Sequence, residues 1–199
     1  RSKIVAADID RVCSVDPTAG IRSISGVRVH DIGQGDSISV LSEKGKPFMQ
    51  IDYGGRVGNP LIAAGQVDKR IPVSSESLLM LSHWDEDHWC TATKGTLAKS
   101  AHWLVPRQIT SPRAVKFSLT VPRIYCVPED RVEKAQIFTT EDGDQIWWEK
   151  IAPAPSPGLK KENCNHTGIA FSIVKNSGRT DAGAVILLPG DAPYGEIGH

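Results

Sequence analysis

Leu81-Ser82-His83-Trp84-Asp85-Glu86-Asp87-His88 follows an apolar run, and four residues able to ligate a metal fall within its last six positions. The run Ser77 to Leu81 reads as a buried strand, so these residues occupy the loop at its C-terminal end, where open α/β sheets place their chemistry. His83, Asp85, Asp87 and His88 alternate imidazole nitrogen with carboxylate oxygen, a spacing from which one short loop holds two adjacent cations. The alternative is a polar turn in which the same histidines and aspartates pair through charge-assisted hydrogen bonds.

Outward from this loop the chain is rich in short β-prone runs. Gly26 to His30, Ser37 to Leu41 and Phe48 to Asp52 are separated by glycine-bearing turns and read as an opening antiparallel meander. A short helix is predicted over Pro60 to Ala64 and a longer one over Trp89 to Lys99. Further strands are predicted at His102 to Val105, Arg123 to Val127, Ala135 to Thr139, Gln145 to Ile151, Gly168 to Val174 and Ala184 to Leu188. Two β-rich halves with few helices give an α/β or α+β domain of stacked sheets over residues 1–199, without a linker that would split it.

Composition is compatible with this and adds little. The 199 residues suit one domain with a real core, and 23 basic against 23 acidic residues leave no net charge to advertise a polyanion or a membrane. No stretch reaches the ~20 apolar residues that span a bilayer. Arg1-Ser2-Lys3-Ile4 lacks the apolar core of a secretory signal, so a cytoplasmic protein without a membrane partner is expected. Cys13, Cys90, Cys126 and Cys164 are scattered without paired spacing, which favours reduced thiols. Cys90 and Cys164 lie within two positions of His88 and His166.

The loop resembles the H-x-[HD]-x-D-H signature of the metallo-β-lactamase superfamily. Val29-His30-Asp31-Ile32-Gly33-Gln34-Gly35-Asp36-Ser37 is similar to the D-V-G-Q-G-D block of the branch containing the hydrolase domain of ComEC-type competence proteins. Ile51-Asp52-Tyr53-Gly54-Gly55, Asn165-His166-Thr167-Gly168 and Leu187-Leu188-Pro189-Gly190-Asp191 resemble further blocks in the same order, so the resemblance spans residues 27–191. It implies a four-layer αββα sandwich and a hydrolase that uses two divalent metal ions, zinc or manganese. By matched position, His83, Asp85 and His166 hold one metal, Asp87 and His88 the other, and Asp191 bridges both. Asp87 and His88 are thereby the residues on which hydrolysis depends. Asp52 is implied to orient a ligand histidine from behind, and Asp31, with Asp36, to shape the adjacent loop or simply to cap turn amides.

Two departures bear on this. Asp85 stands where the superfamily often has histidine, which enriches the site in hard oxygen and brings manganese into competition with zinc. The family pattern also includes a final histidine well beyond the G-D block, whereas eight residues follow Asp191 and His199 is the one downstream candidate. The resemblance thus implies either a C-terminally truncated form or a second metal held by fewer ligands.

For substrate, Arg107, Arg113, Lys116 and Arg123 with Phe117 form a stretch without acidic residues, read as phosphate contacts along a strand or as a solvated basic loop. Lys160-Lys161 are candidates for the same rim. Trp84, Trp89, Trp147 and Trp148 are read as base-stacking or packing residues, and His30 and His102 as strand-end histidines. The expected activity is cleavage of a phosphodiester, in DNA or a nucleotide. An acyl or ester hydrolase and a metal-binding interaction module are the competing classes.

Overall fold

The computed structural model describes residues 15–58, 62–128, 135–151, 164–176 and 184–191. Leu78, Leu79, Met80 and Leu81 are all fully buried, because the strand they form lies inside a sheet covered on both faces. Burial of such side chains stabilises by about 1.5–3 kcal/mol each relative to exposure.

That sheet has six strands in sequence order: β1 (Ile24–Val29), β2 (Ile38–Ser42), β3 (Pro47–Ile51), β4 (Leu78–Met80), β5 (His102–Pro106) and β6 (Ile124–Val127). The first three pair antiparallel, as the predicted meander requires, and β3 to β6 pair parallel. A second, antiparallel sheet runs β10 (Val185–Leu188), β9 (Ile169–Val174), β8 (Gln145–Lys150), β7 (Gln136–Thr139).

Alternation along the strands builds two cores. Met49, Ile51, Leu78, Met80 and Leu104 face Phe138, Ile146, Trp148, Phe171 and Ile173 of the second sheet. Leu79, Leu81, Trp103 and Val105 point the other way, toward the helices. These are α1 (Val67–Arg70), α2 (Thr96–Ser100) and α3 (Pro112–Ser118), joined by 3-10 turns at Ala64–Gln66 and Cys90–Lys94. The chain is therefore a mixed α/β fold with a helical layer on two stacked sheets. Among the described residues the outer face of the second sheet carries the exposed side chains of Ile137, Trp147 and Leu187 in one cross-strand row. Among the described residues, no helix is long and apolar enough to cross a membrane.

Three predicted elements change. The helix read over Trp89 to Lys99 is two pieces, because Gly95 is extended where it packs against Asp68 and Val67. The helical turn read from Pro60 begins at Ala64, and residues 59–61 lie outside the described residues. The basic stretch from Arg107 to Arg123 is neither strand nor loop: it contains α3, whose start is fixed by Ser111 accepting a hydrogen bond from the Ala114 amide, with Pro112 in the first turn.

Candidate metal centre

The ends of three adjacent strands converge. Asp52 follows β3, Ser82 to His88 follow β4, and Gln108 follows β5. The second sheet contributes the residues just before β9 and just after β10, which lie at one end because those strands are antiparallel. The junction is a short hydrogen bond of 2.7 Å from the Ile169 amide to the Ser82 carbonyl.

Backbone contacts hold the loop tightly. Tyr53 and Gly55 amides donate to the carbonyls of His88 and Asp87 at 2.9 and 2.8 Å. A Cβ on Gly54 would fall 1.9 Å from the Asp87 carbonyl oxygen, so only glycine admits this approach. Gly190, at φ +59°, lets the turn after β10 cross Ser82 and His83, where an added Cβ would lie 3.0 Å from the Ser82 Cβ. That crossing delivers the Asp191 carboxylate.

Asp52 organises what lies beneath. It occupies a left-handed backbone conformation, φ 52°, that non-glycine residues seldom adopt. Its buried carboxylate accepts from the Ser82 amide (2.7 Å), the Ser82 hydroxyl (2.7 Å) and His88 Nδ1 (2.8 Å). These bonds assign the protons. With its hydroxyl proton given to Asp52, Ser82 Oγ accepts from His83 Nδ1 at 3.0 Å. Both imidazoles in their neutral form then turn an Nε2 lone pair outward, the tautomer a metal ligand needs.

The outward nitrogens meet carboxylates beyond hydrogen-bond reach. His83 Nε2 lies 3.6 Å from Asp85 Oδ2 and 3.8 Å from Asp191 Oδ2, and His88 Nε2 lies 3.7 Å from Asp191 Oδ1. The two rings are 4.0 Å apart. His83 Nε2 is buried without a hydrogen-bond partner, a costly arrangement for a polar atom. His83, His88 and Asp191 offer ligand atoms within 4.8 Å of one another, and so do Asp36, Asp52 and His88.

The electrostatics are those of a crowded acidic site. Burial raises the Asp36 carboxyl above its ordinary value, the Asp52 and Asp191 charges raise it further, and His88 and His83 oppose them. Burial and the neighbouring His88 charge push His83 down, against the pull of Asp52, Asp191 and Asp85. Burial also lowers His88, but the Asp52 hydrogen bond and the Asp52, Asp87 and Asp191 charges outweigh it and bring His88 up to about 9. Among the described residues, no lysine or arginine forms an ion pair with Asp36, Asp52, Asp85, Asp87 or Asp191. An unpartnered buried imidazole nitrogen amid five carboxylates is a donor set that fits a divalent cation.

The remaining candidate residues distribute as follows. Asp87 is held by Gln34 Nε2 at 3.4 Å and stands outside the two tightest groups. His166 closes the 3-10 turn Cys164–His166, and this turn touches the loop through the Cys164 thiol, which donates to Asp85 Oδ1 at 2.9 Å. Burial, the Asp85 hydrogen bond and the Asp85 charge push Cys164 up to about 12, so it stays a thiol. Asp31 is exposed, and its place in the cluster is taken by Asp36. Arg107 is exposed just past the end of β5, on the same side of the sheet as the loop. Arg113 pairs with Glu86, the residue between Asp85 and Asp87, at 2.8 Å, and Lys116 lies one helical turn further on. Arg123 is at the opposite end of the sheet, where it donates to the Ser75 and Ser100 carbonyls. Cys13, Lys160, Lys161 and His199 lie outside the described residues.

Trp84 and Trp89 are packing residues: both are buried, and their indole nitrogens donate to the Pro106 and Trp84 carbonyls. His30 and His102 sit at strand ends, bonded to Ser39 and to Tyr125 and Arg123. Two positions escaped the sequence reading. Ser82 carries the proton relay, signalled only by its place at a strand end beside a histidine. Gln108 bridges the Trp84 amide (3.1 Å) and Thr167 Oγ1 (2.9 Å) across the two sheets, and nothing in its sequence context marks it.

No protein-family model and no curated protein matches the sequence. Among solved structures the chain is similar to MEM-A1, a subclass B3 metallo-β-lactamase isolated from a soil metagenome library. Identity is 12%, the TM-score 0.46, and the match covers 84% of this chain and 61% of that one. It is also similar to the metallo-β-lactamase SMB-1 bound to 2-mercaptoethanesulfonate, at 10% identity and a TM-score of 0.47, over 84% of this chain and 62% of that one. The chain thus spans about three fifths of the length of these neighbours. The likeness is one of fold, and the functional reading rests on the geometry of the site.

Proposed function

We propose that the chain is a metal-dependent hydrolase that cleaves phosphodiesters. The observation that carries the hydrolase reading is the buried, unpartnered His83 Nε2 facing the carboxylates of Asp85 and Asp191, with His88 Nε2 presented to the same Asp191. His83, Asp85 and His166 would hold one divalent cation, Asp87 and His88 a second, and Asp191 would serve both. Bound there, such ions supply Lewis acidity and make water nucleophilic near neutral pH.

The chain's own residues do the positioning. Asp52 and Ser82 fix the tautomers of His88 and His83, so neither ring turns its bare nitrogen inward. Cys164 and Gln34 hold Asp85 and Asp87 in orientation. Trp84 and Trp89 wall the loop from the helical side. The phosphodiester assignment is supported by Arg107, an exposed cation just past the end of β5 that would orient an anionic substrate and that a neutral ester or lactam would not need. Carboxylates outnumber imidazoles, which favours manganese as a rival to zinc.

The test strips the protein with chelator, restores Mn²⁺, Zn²⁺ or Mg²⁺ singly, and assays bis(p-nitrophenyl) phosphate, plasmid DNA, a p-nitrophenyl ester and a β-lactam. Phosphodiester turnover restored by one metal and lost in Asp87→Ala and Asp191→Ala is the expected result. Turnover of the ester or lactam alone would replace the substrate class. Metal uptake without any turnover would make the protein a metal-binding module.

A further inference from the structure

On the helical side of the metal loop lies a second concave site of about 520 Å³. Its wall includes Arg56, Lys94, Lys99, Arg113 and Lys116, against the single carboxylate of Glu86, in a chain whose net charge is zero. We propose that this cavity binds a small, multiply phosphorylated anion, separately from the metal centre.

The charges are gathered by the fold and not by the sequence. Arg56 follows the turn that clasps Asp87, Lys94 ends a 3-10 turn, Lys99 lies on α2, and Arg113 and Lys116 lie on α3. Glu86 neutralises one of them through the 2.8 Å pair with Arg113, which also fixes that guanidinium at the rim. Among the described residues, Arg56, Lys94, Lys99 and Lys116 form no salt bridge. Four cations facing one concavity repel one another, and the low-dielectric walls of a cleft concentrate their field. A ligand that brings several negative charges relieves that repulsion, whereas a neutral or singly charged one leaves most of it.

Size narrows the class. The cavity falls in the range of about 300–1,000 Å³ that encloses small molecules, several times larger than one phosphate. Its floor is rigid: Trp89 and Phe117 are buried and stacked with centroids 4.9 Å apart. Lys94 and Lys99 are half-buried, so less side-chain freedom is lost when a ligand arrives. An oligophosphate, free or as part of a nucleotide, has the charge density and fits within this volume. None of this requires the metal centre to be hydrolytic.

Isothermal titration of the chelator-treated chain with inorganic tripolyphosphate, and in a parallel arm with ATP, tests the assignment. The wild type should bind one equivalent at low salt, with affinity falling as salt rises. Lys94→Glu with Lys99→Glu should weaken binding by at least about tenfold, since two charges reverse beside the ligand. Lys94→Gln with Lys99→Gln should weaken it less and serves if the reversed pair does not fold. Lys44→Glu, on the far hairpin, should leave it unchanged. Tighter binding of ATP than of tripolyphosphate would identify the source as a nucleotide, and equal binding as the oligophosphate itself; both support the proposal. Absence of binding at millimolar ligand, or wild-type affinity in both paired variants, would overturn it. Selective, variant-sensitive binding of a single-stranded oligonucleotide without tripolyphosphate binding would also overturn it, in favour of a nucleic-acid surface. A chain that binds tripolyphosphate but hydrolyses nothing with any metal keeps this pocket and loses the hydrolase reading.

Discussion

Replacing Asp52 by asparagine preserves shape and removes the charge that sets the protonation of His88. In the metal-free chain, burial alone would depress His88, yet the Asp52 hydrogen bond and surrounding carboxylates bring it to about 9. A histidine raised on folding stabilises the fold fully below its unfolded value near 6.5, and that contribution is lost as pH rises through the folded value. The whole effect is about 3 kcal/mol, of which about 1 kcal/mol disappears between pH 7.5 and 8.5. His83, His30 and His102 are all lowered on folding, so above about pH 7.5 they are largely neutral in both states and add little opposing slope. Below about pH 7 the sign reverses, because the unfolded chain then takes up protons that His83, His30 and His102 refuse in the fold. Urea unfolding of chelator-treated protein at pH 7.5 and 8.5 should show wild-type stability falling by about 1 kcal/mol, while Asp52→Asn changes less. The asparagine amide would also face the His88 Nδ1–H as a donor, favouring the wrong tautomer, so metal affinity should drop about 10–100-fold. An equal slope in wild type and variant, or unchanged metal affinity, would refute the assigned relay.

Three further outcomes follow from single contacts. Gly190→Ala places a Cβ 3.0 Å from the Ser82 Cβ at φ +59°; a backbone cost of about 1–2 kcal/mol and a displaced Asp191 should lower metal affinity at least about tenfold by competition with a chromophoric chelator, and wild-type affinity would contradict this. Asp144→Asn disrupts a buried carboxylate that accepts from the Ile24 and Asn176 amides at 2.7 and 2.8 Å and from the half-exposed Lys175; a loss of about 2 kcal/mol, equal with and without metal, should appear in urea melts. Ser111→Ala removes the cap of α3 and should cost about 1 kcal/mol; a neutral result would mean the cap is not formed in solution.

The sequence was most legible where one residue type has one physical use. Continuous burial of Leu78 to Leu81 follows from an apolar run too short for a helix, and its position between parallel neighbours explains why no alternation was visible there. The other strands fall within a residue or two of their expected limits, since glycine and proline punctuate them. The helix Pro112–Ser118 is masked in the sequence by arginines and lysines that break its apolar periodicity. Its marker was Ser111-Pro112, a capping residue followed by proline in the first turn, with Ala114 and Phe117 three apart on the buried side.

The site shows the same limit at finer scale. Asp31 and Asp36 lie in one glycine-rich block and are chemically identical, so nothing local distinguishes them. What separates them is a contact made 18 residues away: the Gly54 amide donates to the Asp36 carbonyl at 2.9 Å, which draws Asp36 in beside Asp52 and His88 and leaves Asp31 exposed. Arg113 and Arg123 likewise share a residue type and a basic stretch, yet α3 sets one against Glu86 and the start of β6 sends the other to the far end of the sheet. Side-chain chemistry names the ligands a site can use, but which of two equivalent residues serves is decided by backbone pairing between distant segments. That is why the strand-end loop could be read in advance, while the Ser82 relay and the cationic cavity required the fold.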